Sequence, residues 1–248
     1  MLGTRVDVRV CAGVTDLAFR AAEAAAAIIK ETVQTTGRCS LVLSGGNTPR
    51  TLYSRWASRF ATEIPWADVH VFWGDERFVP PDDPRSNFKM AREALLDHVP
   101  IPAPHIHAML TSFDTPELAA ATYEDTLRRY FDDDPPRFDL LLLGLGPEGH
   151  TASLFPHSPA LDERTHWVMP VTVPADPPLR LTLTLPALNA AAHTYFLVTG
   201  SEKAAALDHV LEAAADVRTY PAAGIRTAGN GPVWWVDREA TALYQPRS

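Results

Sequence analysis

The sequence is short of cysteine, of basic charge and of long apolar runs. Its 248 residues hold two cysteines, Cys11 and Cys39, too few for a disulfide scaffold or a four-cysteine metal site. Lys and Arg number 22 against 30 Asp and Glu, a net charge of −8. That deficit argues against a general nucleic-acid binder, which needs a basic stripe to neutralise phosphates. It argues equally against a polybasic membrane anchor. A single anionic small molecule remains possible, because a few converging cations can hold it. No segment reaches the roughly 18 apolar residues of a transmembrane helix. Met1 to Val10 alternates Val6, Val8 and Val10 with Asp7 and Arg9, the pattern of a strand rather than of a signal peptide. The expected location is the cytoplasm, with neither membrane nor nucleic acid as partner.

What is present is ordinary for a globular chain. Hydrophobic residues make up 46% and charged residues 21%, enough to bury a core without staples. No repeat and no linker divides the chain, so a single domain over residues 1–248 is expected. Thr15 and Asp16 are candidate caps for an Ala-rich helix from Leu17 to Thr35, closed by Gly37. Cys39 to Leu43 reads as a strand. It is followed by a helix to about Phe60, with Thr48 as N-cap and Pro49 in the first helical position. Val69 to Trp73 is a strand, Gly74 to Arg77 a polar turn, and Ser86 the cap of a helix from Asn87 to about His98. Ile106 to Met109 reads as a strand, Thr115 caps a helix ending near Tyr130, and Phe138 to Leu143 is a buried strand. Pro170 to Pro178 reads as a loop, and Leu179 to Leu185 and Thr194 to Val198 as strands. Ser201 caps a helix from Glu202 to about Ala214, and Val233 to Val236 is a closing strand. This alternation predicts an α/β fold: a Rossmann-like, mainly parallel twisted sheet with helices on both faces.

In open α/β sheets, ligands bind beyond the carboxyl ends of the strands. Four predicted strands end there in polar or glycine-rich turns: Ser44 to Thr48, Gly74 to Arg77, Gly144 to His150, and Thr199 to Lys203. The Ser44-Gly45-Gly46-Asn47-Thr48 turn lets backbone N–H groups approach an anion at a helix start. It lacks the Gly-Lys-Ser/Thr ending of a nucleotide P-loop, and a plain tight turn explains it equally well. Gly144 to Gly149 matches Gly-x-Gly-x-x-Gly, the dinucleotide fingerprint, before a predicted helix. No acidic residue ends a second strand about 20 residues on, as ribose binding requires, so a nicotinamide oxidoreductase rests on that match alone. His150 comes next, a reactive group presented by a turn.

Asp75, Glu76 and Arg77 put three charges at a strand end. Lys203 puts a cation beside a helix start, where the dipole favours an anion. A solvated loop and a surface lysine are the plain alternatives. His105 and His107 share one side of a predicted strand, with no third ligand in register. There is no His-Glu-x-x-His, no clustered cysteine and no Gly-x-Ser-x-Gly elbow, so neither a metal nor a serine nucleophile is expected.

Taken in order, these segments resemble the 6-phosphogluconolactonase family, within the wider group that includes glucosamine-6-phosphate deaminase. The matching pieces are Leu43-Ser-Gly-Gly-Asn-Thr-Pro49, Gly74-Asp-Glu-Arg-Phe-Val-Pro80, Ser86-Asn-Phe88, Phe138 to Pro156, Arg180-Leu-Thr-Leu-Thr184 with Ala187-Leu-Asn189, and Gly200-Ser-Glu-Lys-Ala204. The resemblance implies hydrolysis of 6-phospho-D-glucono-1,5-lactone to 6-phosphogluconate, without a cofactor, by a monomer or weak homo-oligomer. It makes His150 the general base, with Glu148 and Asp75 as supporting carboxylates. Ser44, Gly45, Gly46, Asn47, Arg77, Asn87, Arg180 and Lys203 would hold the phosphate and sugar. Glu148 departs from the family's usual Asp, keeping the carboxylate on a side chain longer by one methylene. The deaminase branch carries an acidic residue shortly after the histidine, where this chain has Phe155. A non-catalytic sugar-phosphate sensor would bring a basic helix-turn-helix, and none is legible here.

Overall fold

The computed structural model describes residues 7–132, 134–212, 214–227 and 231–244. Six strands form one wholly parallel sheet: β1 (Asp7–Cys11), β2 (Cys39–Leu43), β3 (Val69–Trp73), β5 (Leu140–Leu143), β8 (His193–Val198) and β9 (Val233–Asp237), in the order β1-β9-β8-β5-β2-β3. Every residue of β2 and of β5 is buried. Successive side chains point to opposite faces of a strand, so both faces of the sheet are covered, as in parallel α/β folds. The N-terminal strand begins at Asp7; the earlier part of that expectation, Met1 to Val6, lies outside the described residues.

The helices are α1 (Val14–Thr36), α2 (Asn47–Arg59), α3 (Asn87–Ala94), α4 (Pro116–Tyr130), α5 (Leu185–Asn189) and α6 (Ala204–Val210). α4 follows its sequence signals closely. Thr115 is the N-cap and accepts from the Leu118 N–H, and Pro116 and Glu117 occupy the first turn. α1 starts three residues before the expected Leu17, so Thr15 and Asp16 lie inside it, and Gly13 is its N-cap. Asp16 still serves this helix end, accepting from the Ala12 N–H. Gly37 closes α1 with φ +82°, the left-handed conformation that glycine adopts without penalty. α2 likewise starts at Asn47 with Gly46 as N-cap, not Thr48. The Thr48 hydroxyl bonds that of Thr199 instead, at 2.6 Å, tying two strand-end turns together.

Two expectations fail for a shared reason, which is pairing that no local pattern reveals. A second, antiparallel sheet runs β4 (Asp75–Arg77), β7 (Leu179–Leu183), β6 (Val168–Thr172). The predicted Gly74 to Arg77 turn therefore holds a strand, and the predicted proline loop begins with one. Pro170 is tolerated because β6 lies at the sheet's edge. Ile106 to Met109 is not a strand; only a single bridge, Ile106 to Val71, forms there. The segment from Ser201 divides into a 3-10 turn, Ser201–Lys203, and the short α6, which ends at Val210 rather than near Ala214. The helix from Asn87 also stops early, at Ala94, and a 3-10 turn, Leu96–His98, continues it.

Candidate active site

β2, β5 and β8 deliver their following turns to one cavity of about 280 Å³. It is lined by Ser44, Gly45 and Gly46 after β2, by Asp75 and Arg77 of β4, and by Asn87 of α3. The turn after β5 contributes Gly144 to Pro147, His150 and Ala152, and the wall is completed by Arg180 and Lys203. Nine of the predicted site residues thus meet. Two do not line the wall. Asn47 is exposed in the first turn of α2, where its carbonyl accepts from the Thr51 hydroxyl. Glu148 is exposed but reaches the histidine from outside the cavity.

Backbone close to side chain shapes this cavity. Tyr53 of α2 clamps Ser44 twice, accepting from its N–H at 2.9 Å and donating to its carbonyl at 2.8 Å. A Cβ on Gly45 would sit 1.9 Å from Asn87 Oδ1, and one on Gly146 would sit 2.0 Å from His150 Nδ1. Glycine at these two positions allows the side chains to close in. No helix follows the Gly-x-Gly-x-x-Gly segment; the chain turns sharply instead, through Gly149 at φ +86° and Ala152 at φ +47°. The Gly146 N–H donates to the His150 carbonyl at 2.8 Å, and the Thr151 hydroxyl to the Gly144 carbonyl at 2.9 Å. This compact turn presents an imidazole, not a pyrophosphate cradle.

His150 lies flat on Phe155, with ring centroids 4.0 Å apart. Burial holds its pKa below the ordinary 6.5, while Glu148 and Asp75 pull the other way. Glu148 Oε1 is 3.2 Å from His150 Nδ1, but the pair is not aligned as a hydrogen bond. Asp75 is buried and fixed on both oxygens. Oδ2 accepts from the Ser153 hydroxyl at 2.7 Å, and Oδ1 from Asn87 Nδ2 at 3.3 Å. Arg180 is buried to 6% exposure, and its Nε donates to the Pro177 carbonyl. Ser153, Phe155 and Tyr53 escaped sequence reasoning as site residues. Ser153 lies within the Phe138 to Pro156 segment, but only the fold shows it facing Asp75.

Among the described residues, ten buried side-chain polar atoms have no hydrogen-bond partner. Four of them belong to this wall: Ser44 Oγ, Arg77 Nε, Asn87 Oδ1 and His150 Nδ1. Buried polar groups are nearly always satisfied, so their concentration marks a place made for a polar ligand. Asp208, His209 and Glu212 form the one group of described residues with metal-ligand spacing, and none of them lines the cavity.

A pocket that gathers three cations, an imidazole and a buried carboxylate where the turns after the parallel strands meet the small antiparallel sheet is enzyme-like and suited to a small anion. Residues 13–235 match the family described as glucosamine-6-phosphate isomerases/6-phosphogluconolactonase, and the chain belongs to that family. It is 43% identical over 221 residues to a 6-phosphogluconolactonase of Synechocystis, spanning 88% of this chain and 90% of that one. The Mycobacterium tuberculosis 6-phosphogluconolactonase is 44% identical over 217 residues, 85% of this chain and 87% of its own. The crystal structure of a Thermotoga maritima 6-phosphogluconolactonase superimposes with TM-score 0.83 at 30% identity, covering 94% of this chain and all of that one.

Proposed function

We propose that this chain hydrolyses 6-phospho-D-glucono-1,5-lactone to 6-phospho-D-gluconate in the cytoplasm, with His150 as the general base. The observation that carries the reading is the wall itself: Arg77, Arg180 and Lys203 converge on the same small cavity as a partly buried, downshifted imidazole. The relatives named above act in the same sense. A lactone carbonyl is reactive enough that a water activated by one base opens it. An imidazole that stays neutral near physiological pH is suited to take the proton.

As His150 becomes imidazolium, Glu148 and Asp75 favour the new charge. The attack builds negative charge on the C1 oxygen, which needs positioned donors; Arg77 and the backbone of the Gly144–Pro147 turn border the cavity where they could act. The remaining cations and the Ser44–Gly46 turn hold the phosphate. Binding at that remote end places the ring for attack. Phe155 packs on His150 where a deaminase would need an acid, so a proton-shuttling isomerisation has no group there.

The test is hydrolysis of freshly generated 6-phosphogluconolactone, measured above the spontaneous rate. The wild type should accelerate it, and His150→Ala should lose roughly 10²–10⁴-fold in kcat. A variant as fast as the wild type would sink the general-base assignment.

A further inference from the structure

Glu76 is a buried ionisable group that the reaction above does not use. On β4, Asp75 and Arg77 line the cavity, and Glu76 between them points to the other side of the strand. It is 2% exposed. Its Oε1 accepts from the Arg77 N–H at 2.8 Å and the Asn87 N–H at 2.7 Å. Its Oε2 accepts from the Phe88 N–H at 2.7 Å and the Ser86 hydroxyl at 3.1 Å. Ser86 is the N-cap of α3, and Asn87 and Phe88 are its first residues. The carboxylate therefore closes the positive end of that helix, where N–H groups have no partner within the helix.

The same residues lead back to the cavity. Asn87 Nδ2 donates to the Asp75 carbonyl at 2.9 Å and to its carboxylate at 3.3 Å. Asn87 Oδ1 rests against Gly45 in a gap that no Cβ would leave open. From this chain of contacts we propose that Glu76 is a positioning residue: it fixes the first turn of α3 so that Asn87 holds Asp75 and the Gly45 turn in place beside His150. The proposal rests on the hydrolytic reading above.

Asp75 on its own strand and Arg180 on β7 are the charged groups that act on Glu76; the Arg77 side chain faces the cavity on the other side of β4, and Lys89 of α3 pairs with Glu93. Burial pushes the Glu76 carboxyl up to about 7, against three backbone N–H donors and with a further push from Asp75. Only the ionised form accepts from all four donors at once. The held arrangement therefore fades as pH falls through about 7, above the range in which His150 takes up its proton.

The experiment measures lactone hydrolysis from about pH 5.5 to about pH 8.5 for the wild type, Glu76→Gln, Asn87→Ala and the double variant, with near-ultraviolet circular dichroism as the check on folding. Glu76→Gln should lower kcat/KM about 10-fold and add less than about 2-fold in the Asn87→Ala background, because the two act through one path. It should also remove the activity loss centred near pH 7 and leave the His150 limb at lower pH. Additive losses, or a Glu76→Gln profile equal to that of the wild type, overturn the proposal while the hydrolytic reading stands. A wild type without activity overturns both. Should Glu76→Gln fail to fold, Ser86→Ala decides. It removes one donor to the carboxylate, so it should move the limb to higher pH, and an unmoved limb overturns the proposal.

Discussion

Two groups of imidazoles sit at opposite ends of the parallel sheet. His150 follows the carboxyl end of β5, whereas His70 lies near the start of β3, stacked on His105 at 3.8 Å and bonded through Nδ1 to His107 Nε2 at 3.1 Å. His70 of β3 thus joins His105 and His107 as a stacked and hydrogen-bonded ring, and the three do not have metal-ligand spacing. Both groups press on aromatic rings, His150 on Phe155 and His107 on Phe72, and in both burial lowers the pKa, to about 4 for His70 and His107. Their surroundings differ. His70 and His107 bond each other among Tyr130, Phe72 and the cation of Arg38. His150 opens on a cavity, with Glu148 and Asp75 favouring its charged form. At His70 burial is reinforced by Arg38 and the neighbouring histidines, whereas at His150 two carboxylates oppose it. A base needs burial opposed by a carboxylate and an open side toward its substrate.

The sharpest way to break this contrast is to disturb the ring without removing it. Gly146→Ala would place a Cβ 2.0 Å from His150 Nδ1, and displacement on the order of 1 Å should cost about 100-fold in kcat. An unchanged kcat would mean that the seating of the ring is immaterial. Lys203→Ala should act on capture instead, raising KM for the phosphorylated lactone about 10-fold, the worth of a charge-assisted bond. Equal loss on unphosphorylated gluconolactone would contradict a phosphate role.

The smallest effect on catalysis belongs at the other end of the sheet. The folded pKa of His70 lies at about 4, below the ordinary 6.5, so the unfolded chain takes up the proton first. Its contribution to stability is complete above pH 6.5 and is lost as pH falls through about 4. His70→Phe should flatten the acid decline in melting temperature and leave kcat at neutral pH unaltered. A variant that loses activity in step with stability would show that the two ends are not independent.

Most of the site was legible because its residues end strands. Ser44, Asp75 and His150 each follow an apolar run within one or two residues of its end, or one short turn beyond, and parallel sheets place such ends side by side. Local signals also located α4, through Thr115 and Pro116. What stayed hidden depended on distant partners. Three charged residues, Asp75–Arg77, carry no strand signal until β7 pairs with them. Val168–Thr172 is masked by its own proline. Glu76 read as one charge in a solvated turn, whereas it is buried, because its four donors come from its own strand and from residues 10 to 12 positions away. Asn47 misled because the glycine turn passes into α2 at that residue and leaves its side chain outside.

In the register of β4 and β7, Arg77 stands directly opposite Arg180. Like charges facing each other across a ladder repel, and among the described residues the two guanidiniums hydrogen-bond only backbone carbonyls, those of Arg85 and Pro177. The small sheet thus holds a repulsion that the neighbouring Asp75 carboxylate offsets in part, and in the proposed reading a dianion between the two arms would relieve the rest. In the proposed reading the phosphosugar is then more than cargo. It acts as a mortar between two strands, and a cell rich in it would keep the folded enzyme for longer as well as keeping it busy.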